Sequence, residues 1–148
     1  MSNLNIGIDQ LSVFIENKPG SLAQVLEAIG NIGVDLRALC LADTSDFGVL
    51  RVIVDKPDDA VKALTNEGYI VKTTKVLPIA VSDKPGSLAG ALRVLSDMSI
   101  SVEYTYAFVA HSTGSAYVII KVEDNAVAAA ALTEAGVKLA EEHEIYNI

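Results

Sequence analysis

The chain has 148 residues, enough for one ordinary domain or two small ones and too few for a large catalytic domain with a separate regulatory one. Hydrophobic residues make up 51% and charged residues 20%, a balance that excludes a disordered chain, and a body of this size buries roughly 68–70% of its unfolded surface without needing a metal or disulfide. The 11 Lys and Arg against 19 Asp and Glu leave a net charge of -8, which argues against binding the phosphate backbone of nucleic acid and against docking on anionic membranes.

The first residues, Met1 to Ile6, carry no basic region followed by an apolar stretch, so they do not read as a secretory signal. The longest apolar run, Ala126 to Leu132, is far short of the ~18–20 residues that span a bilayer. The expectation is a soluble cytoplasmic protein. Leu11, Val13 and Ile15 alternate with polar neighbours and predict a strand that ends at Asn17. Leu22, Val25, Leu26, Ile29 and Ile32 recur at helical spacing, and Gly33 follows where a helix would stop. Val34 to Leu41 and Phe47 to Val54 read as strands joined through the turn formers Asp43-Thr44-Ser45-Asp46. Pro57 to Glu67 reads as a helix with Pro in its first turn and Gly68 at its end, and Tyr69 to Lys75 as a fourth strand.

The same order then returns. Val76 to Ser82 predicts a strand, Ser87 to Met98 a helix, Ile100 to Val109 and Ser115 to Val122 two strands, Asn125 to Ala135 a helix, and Val137 to Glu142 a last strand. The identities repeat as well as the periods. Asn17-Lys18-Pro19-Gly20-Ser21-Leu22-Ala23 reappears as Asp83-Lys84-Pro85-Gly86-Ser87-Leu88-Ala89, an offset of 66 (83 − 17). Gly48 matches Gly114 and Val52-Ile53-Val54 matches Val118-Ile119-Ile120 at that offset, while Thr65 and Gly68 match Thr133 and Gly136 at 68, which places two extra residues near Ala128 to Ala131. The reading is an α+β chain of two tandem ferredoxin-like βαββαβ modules, residues 1–75 and 76–148. Each module is marginal in size alone. The short junction at Lys75-Val76 therefore predicts that they pack as a pseudo-symmetric pair.

A βαββαβ module of this length with Asn/Asp-x-Pro-Gly-x-Leu between its first strand and first helix resembles an ACT domain, the small-molecule sensing module found on many enzymes of amino-acid metabolism. The resemblance covers nearly the whole chain, twice, and implies a stand-alone tandem ACT protein. It also implies an allosteric amino-acid site at the loop between strand one and helix one and at the interface with the neighbouring module. Carried onto this chain, the ligand-binding candidates are Asn17, Pro19, Gly20, Ser21 and Leu22 in the first copy, and Asp83, Pro85, Gly86, Ser87 and Leu88 in the second.

The loop chemistry fits such a site on its own terms. Pro19 and Pro85 preset the backbone entering each helix, and Gly20 and Gly86 remove the side chain that would hold a ligand off the main chain. The first amides of a helix lack internal partners and sit at the positive end of its dipole, which suits a carboxylate. Ser21 with Gln24 fits a capping box, whereas the second copy has Gly90 at the matching place. For the ammonium group, Asp83 offers a full charge and Asn17 only an amide oxygen. The alternative is that Asx-Lys-Pro-Gly is simply a tight turn into a helix.

Other residues offer less. His111 and Ser112 are neighbours in a hairpin loop, and adjacent side chains rarely form a nucleophile-base pair. His143 among Glu141, Glu142 and Glu144 reads as an exposed acidic end rather than a metal cluster. Cys40, the sole cysteine, permits no intramolecular disulfide and reads as a packed small residue. Asp58, Asp59 and Asp124 suit helix starts. No catalytic residue, metal site or cofactor motif is expected.

Strand parity gives one more expectation. With Leu36, Ala38 and Cys40 toward the helices, Arg37, Leu39 and Leu41 would share the opposite face with Phe14, Val49, Arg51 and Ile53. That face would be partly apolar and would need covering, which predicts a homodimer through the helix-free sheet face or a sheet edge. In the second module Glu103, Thr105, Ala107, Ser115 and Tyr117 would form the matching face, with Tyr104, Tyr106 and Phe108 on the other register. The functional expectation is a non-catalytic, amino-acid-binding regulatory protein of amino-acid metabolism. The alternative is a dissociated regulatory subunit of an enzyme partner, similar in role to the acetolactate synthase small subunit, which differs in having one ACT domain before an unlike C-terminal domain. RNA binding, which the same strand order can serve, lacks its basic aromatic signature here.

Overall fold

The computed structural model of the protein describes residues 6–43, 46–108 and 114–146. The elements run β1 (Ile8–Glu16), α1 (Ser21–Asn31), β2 (Leu36–Asp43), β3 (Phe47–Val54), α2 (Pro57–Asn66), β4 (Ile70–Ser82), α3 (Ser87–Asp97), β5 (Tyr104–Ala107), β6 (Ser115–Lys121), α4 (Asn125–Glu134), β7 (Lys138–Leu139) and α5 (Glu142–Tyr146). The chain divides into two compact units, a first of Asp9–Thr74 and a second of Lys75–Ile148 together with Met1–Ile8.

In the first unit β3 pairs antiparallel with β1 and with β2. The rows Leu11, Val52, Leu39 and Val13, Leu50, Leu41 fall on one face, because residues directly opposite in a ladder point the same way. Leu11, Val13, Leu50 and Val52 from this face are buried against Val25 and Ile29 of α1 and Ala60 and Leu64 of α2. Val25, Ala28 and Ile29, spaced i, i+3, i+4, are the buried stripe of α1. Leu64 has no exposed surface, and its truncation to Ala would cost about 2–5 kcal/mol.

The second unit repeats the plan. β6 pairs antiparallel with β4 and β5, and β7 pairs with β4 through Ile79 and Ala80. Leu77, Ile79, Val118 and Ile120 are buried against Ala91 and Leu95 of α3 and Ala128 and Leu132 of α4.

Several expectations need correction. The strands predicted on either side of the Lys75-Val76 junction are one continuous 13-residue strand, β4, because nothing in Thr74-Lys75-Val76-Leu77 breaks an extended backbone. The last predicted strand, Val137 to Glu142, is paired only at Lys138 and Leu139; Glu142–Tyr146 is helical instead, and this buries Ile145 completely. Strand parity in β2 reverses at a bulge. The register passes from Leu36 opposite Val54 to Ala38 opposite Ile53, so Arg37 is an extra residue. Leu39 therefore faces the helices, while Ala38 and Cys40 lie with Ser12, Arg51 and Ile53 on the helix-free face. In the second unit Thr105 and Ala107 share rows with Ile120 and Val118 on the helix side, and Tyr104 and Tyr106 take the other face. Tyr104 and Tyr106 stack at 6.4 Å, and Phe108 meets Tyr117 edge-on at 5.9 Å.

Ala38 and Ile53 have no exposed surface although they occupy the helix-free face.

Candidate ligand site

The chain leaves β1 at Glu16 and enters α1 through four residues. The Asn17 amide donates to the Asp46 carbonyl at 3.0 Å, the Lys18 amide to the Glu16 carbonyl at 3.0 Å, and the Ser21 amide to the Lys18 carbonyl at 3.2 Å. Gly20 holds φ at 87°, in the left-handed region, with nothing within 4 Å of where a Cβ would stand. Glycine is thus required there by the dihedral and not by crowding. The Gln24 amide closes the first turn on the Gly20 carbonyl at 2.9 Å, and the amides of Leu22 and Ala23 find no carbonyl partner among the described residues.

The second copy has the same backbone. The Asp83 amide donates to the Gly114 carbonyl at 3.3 Å, Lys84 to Ser82 at 2.8 Å, Ser87 to Lys84 at 3.2 Å and Gly90 to Gly86 at 2.9 Å. Gly86 holds φ at 84°.

The capping box expected at Ser21 and Gln24 does not form. Gly20, in the left-handed conformation, occupies the cap position, which shifts Ser21 inside the helix, and no side chain caps α1. The Ser21 side chain is released from that role. The residue is only 7% exposed, and its hydroxyl is not one of the buried polar atoms left without a partner, so it opens to solvent in the adjoining cleft. Ser21 instead lines a cleft of about 350 Å³ with Phe14, Lys18, Gln24, Phe47, Tyr69 and Ile70. Lys18 and Glu16, both at the rim, pair at 3.0 Å with more than half of each side chain in solvent, so the pair is weak and either group is free to exchange partners.

The remaining sequence candidates are dispersed. Asn17, Pro19 and Gly20 are exposed in the first loop, as are Asp83, Pro85 and Gly86 in the second. Leu22 and Leu88 are half-buried and packed against the two cores, and Ser87 is half-buried. Sequence reasoning places Phe14 only on a strand face and does not pick out Phe47, Tyr69 and Ile70 as site residues, because all four lie outside the repeated motif. The available signal was an irregularity: Phe14 and Phe47 are aromatic at positions where a solvated strand face would be polar.

The residues set aside on chemical grounds have structural places. Asp124 caps α4, its carboxylate accepting from the amides of Ala126 at 3.1 Å and Val127 at 3.2 Å. Asp58 and Asp59 occupy the first turn of α2. Cys40 is half-buried on β2. His143 stands 3.2 Å from Glu141 with both exposed, and no group of three or more metal-ligating residues forms among the described residues. His111 and Ser112 lie outside the described residues.

A family model described as an ACT domain pair matches residues 6–148. The chain belongs to the ACT domain pair family. Its βαββαβ repeat and the twice-used loop are the features of this ACT pair that the sequence announced. A solved protein from Bacteroides thetaiotaomicron is 37% identical, with a TM-score of 0.89, over 99% of this chain and 100% of the other. The ligand-free regulatory subunit of aspartate kinase from Thermus thermophilus is 18% identical with a TM-score of 0.66, over 90% and 93% of the two chains. That from Thermus flavus is 18% identical with a TM-score of 0.58, over 86% and 92%. At that identity the last two likenesses are of fold. A search of the curated proteins finds no match. Among the described residues no helix of the ACT pair is long and apolar enough to cross a membrane.

Proposed function

We propose that the protein is a non-catalytic regulatory ACT pair that responds to an amino acid. The ligand carboxylate sits on the unpartnered amides of Leu22 and Ala23, with the Ser21 hydroxyl as a further donor. The ammonium lies toward Asn17, or toward Asp83 when the second loop is the one occupied. The observation that carries this reading is Ser21. Its hydroxyl, on a residue only 7% exposed, opens into a cleft at a helix start whose first two amides find no carbonyl partner among the described residues, so a carboxylate there meets three donors. Membership of a family of paired ACT domains and the fold likeness to two regulatory subunits support the same reading.

A thermal-shift screen of the twenty amino acids tests it. A ligand at about 100 times its dissociation constant adds roughly 2.7 kcal/mol to stability, a readily measured rise in melting temperature. If no amino acid raises the melting temperature at millimolar concentration, the proposal fails.

The second reading, a regulatory subunit that acts by docking on a separate enzyme, draws on the same two likenesses. Co-purification of one biosynthetic enzyme in stoichiometric amount would favour it. The homodimer belongs to the proposal as well: Leu41 is 44% exposed on β2, which ends the strand order of its sheet among the described residues. Sedimentation showing a monomer at high micromolar concentration overturns that part.

A further inference from the structure

We infer that the cleft of the first unit selects an amino acid with a large apolar side chain; the inference rests on the reading of that cleft as an amino-acid site and adds the ligand class. Three of the seven exposed large apolar residues among those described, Phe14 at 43%, Phe47 at 59% and Ile70 at 70%, line this one cleft. Exposed apolar side chains scattered singly need no explanation, but a cluster of them around one hollow marks a binding surface. The cleft volume of about 350 Å³ lies within the ~300–1,000 Å³ range of small-molecule sites.

The lining is divided by chemistry. Ser21 and Gln24 of α1, with Lys18 and its ion-pair partner Glu16, supply the polar groups, whereas Phe14, Phe47 and Ile70 supply an apolar wall. A ligand that satisfies both is zwitterionic at one end and apolar at the other. Charged side chains find no match on the wall, because a carboxylate or ammonium there would lose water and gain only hydrocarbon.

The repeat sharpens the assignment. Ser21 and Lys18, the polar end, return as Ser87 and Lys84 in the second copy. The wall does not return: by strand register Phe14 is matched by Ala80 and Phe47 by Ser115, and Ile70 is matched by Lys138. Lys138 is engaged with Glu144 at 3.2 Å. Residues that only maintained the turn would be expected to repeat with it. The divergence of the wall while the loop is kept points to side-chain discrimination in the first unit alone.

The test uses the full chain and calorimetry with L-leucine, L-phenylalanine, L-serine, L-aspartate and L-lysine, on the wild type, Phe47→Ser and Ser21→Ala. The expected result is binding of leucine or phenylalanine and none of the three polar amino acids, with Phe47→Ser lowering affinity by about tenfold to a hundredfold. Phe47 is largely exposed, so the variant should fold, and an unchanged melting temperature without ligand verifies this. If a polar amino acid binds and Ser21→Ala weakens it while Phe47→Ser does not, the amino-acid site stands and the apolar assignment is overturned. If none of the five binds, the reading of the cleft as an amino-acid site falls with it.

Discussion

The backbone of Gly7 lies so close to that of Val76 that a Cβ at position 7 would stand 2.3 Å from the Val76 carbonyl oxygen. Its φ of +108° is also closed to ordinary side chains. Space and dihedral both demand glycine, so the N-terminal segment and the start of the second unit's β4 residues are joined by backbone contact. Gly7→Ala should destabilise the protein by about 2–4 kcal/mol in urea unfolding. A loss under about 0.5 kcal/mol would show that the segment lifts away at little cost.

Asn125 ties the same two stretches from the other side. Its amide nitrogen donates to the Ile6 carbonyl at 3.0 Å and to the Lys75 carbonyl at 3.2 Å, and the residue is 8% exposed. Asn125→Ala leaves both carbonyls without that donor and should cost about 1–3 kcal/mol. Because Gly7 and Asn125 secure one junction, their double-mutant cycle should show coupling of at least about 0.5 kcal/mol. Strict additivity would mean that the two act on separate features.

These contacts mark where the sequence stopped being legible. Periodicity located β3 to the residue and α2, α3 and α4 to within one, because apolar stripes and glycine stops agree there. The repeat boundary at Lys75-Val76 looked like a junction between strands, yet repetition of sequence carries no signal for a chain break, and β4 runs through it. The face of β2 was misread because the bulge at Arg37 inserts one residue, and a single residue inverts every side chain after it. At the site, the resemblance carried Ser21 as a ligand-binding candidate, while the capping role also read from the sequence is one it does not have. The apolar wall was invisible because Phe14, Phe47 and Ile70 come together from three strands distant in sequence.

Helix α4 has a side-chain cap and α2 does not. Asp124 accepts from two first-turn amides, whereas Lys56 at the corresponding place before α2 offers no acceptor. Asp124→Ala should therefore cost about 1 kcal/mol, and Lys56→Ser should gain several tenths of a kcal/mol. Thermal unfolding of the two variants checks the pair, and equal effects of the same sign would contradict it.

Ser99 is the only non-glycine residue with positive φ among those described, at 57°. It follows α3 where Gly33 follows α1, and its amide donates to the Ser96 carbonyl at 3.0 Å as that of Gly33 does to Gly30. A side chain in this conformation costs about 1 kcal/mol relative to glycine. Ser99→Gly should raise stability by that order in chemical denaturation. A neutral or negative effect would indicate that the Ser99 side chain contributes elsewhere.

The two loops share a backbone and differ in charge, and this sets the last expectation. Ser21 offers a hydroxyl to a charged ligand group from a buried position, an interaction worth about 1.5–3 kcal/mol, or roughly tenfold to a hundredfold in affinity. Ser21→Ala should weaken amino-acid binding by that factor and leave the melting temperature of the free protein nearly unchanged, since the removed hydroxyl is open to solvent in the cleft. Asp83 carries a full charge in an exposed loop, so Asp83→Ala should be equally costly only if the second loop is occupied. Asn17→Ala, which removes a neutral amide, should cost less than either. Calorimetry on the three variants separates the cases: loss in Ser21→Ala alone assigns the ligand to the first unit and loss in Asp83→Ala alone to the second. Unchanged affinity in all three would make the repeated Pro-Gly loops turns and nothing more.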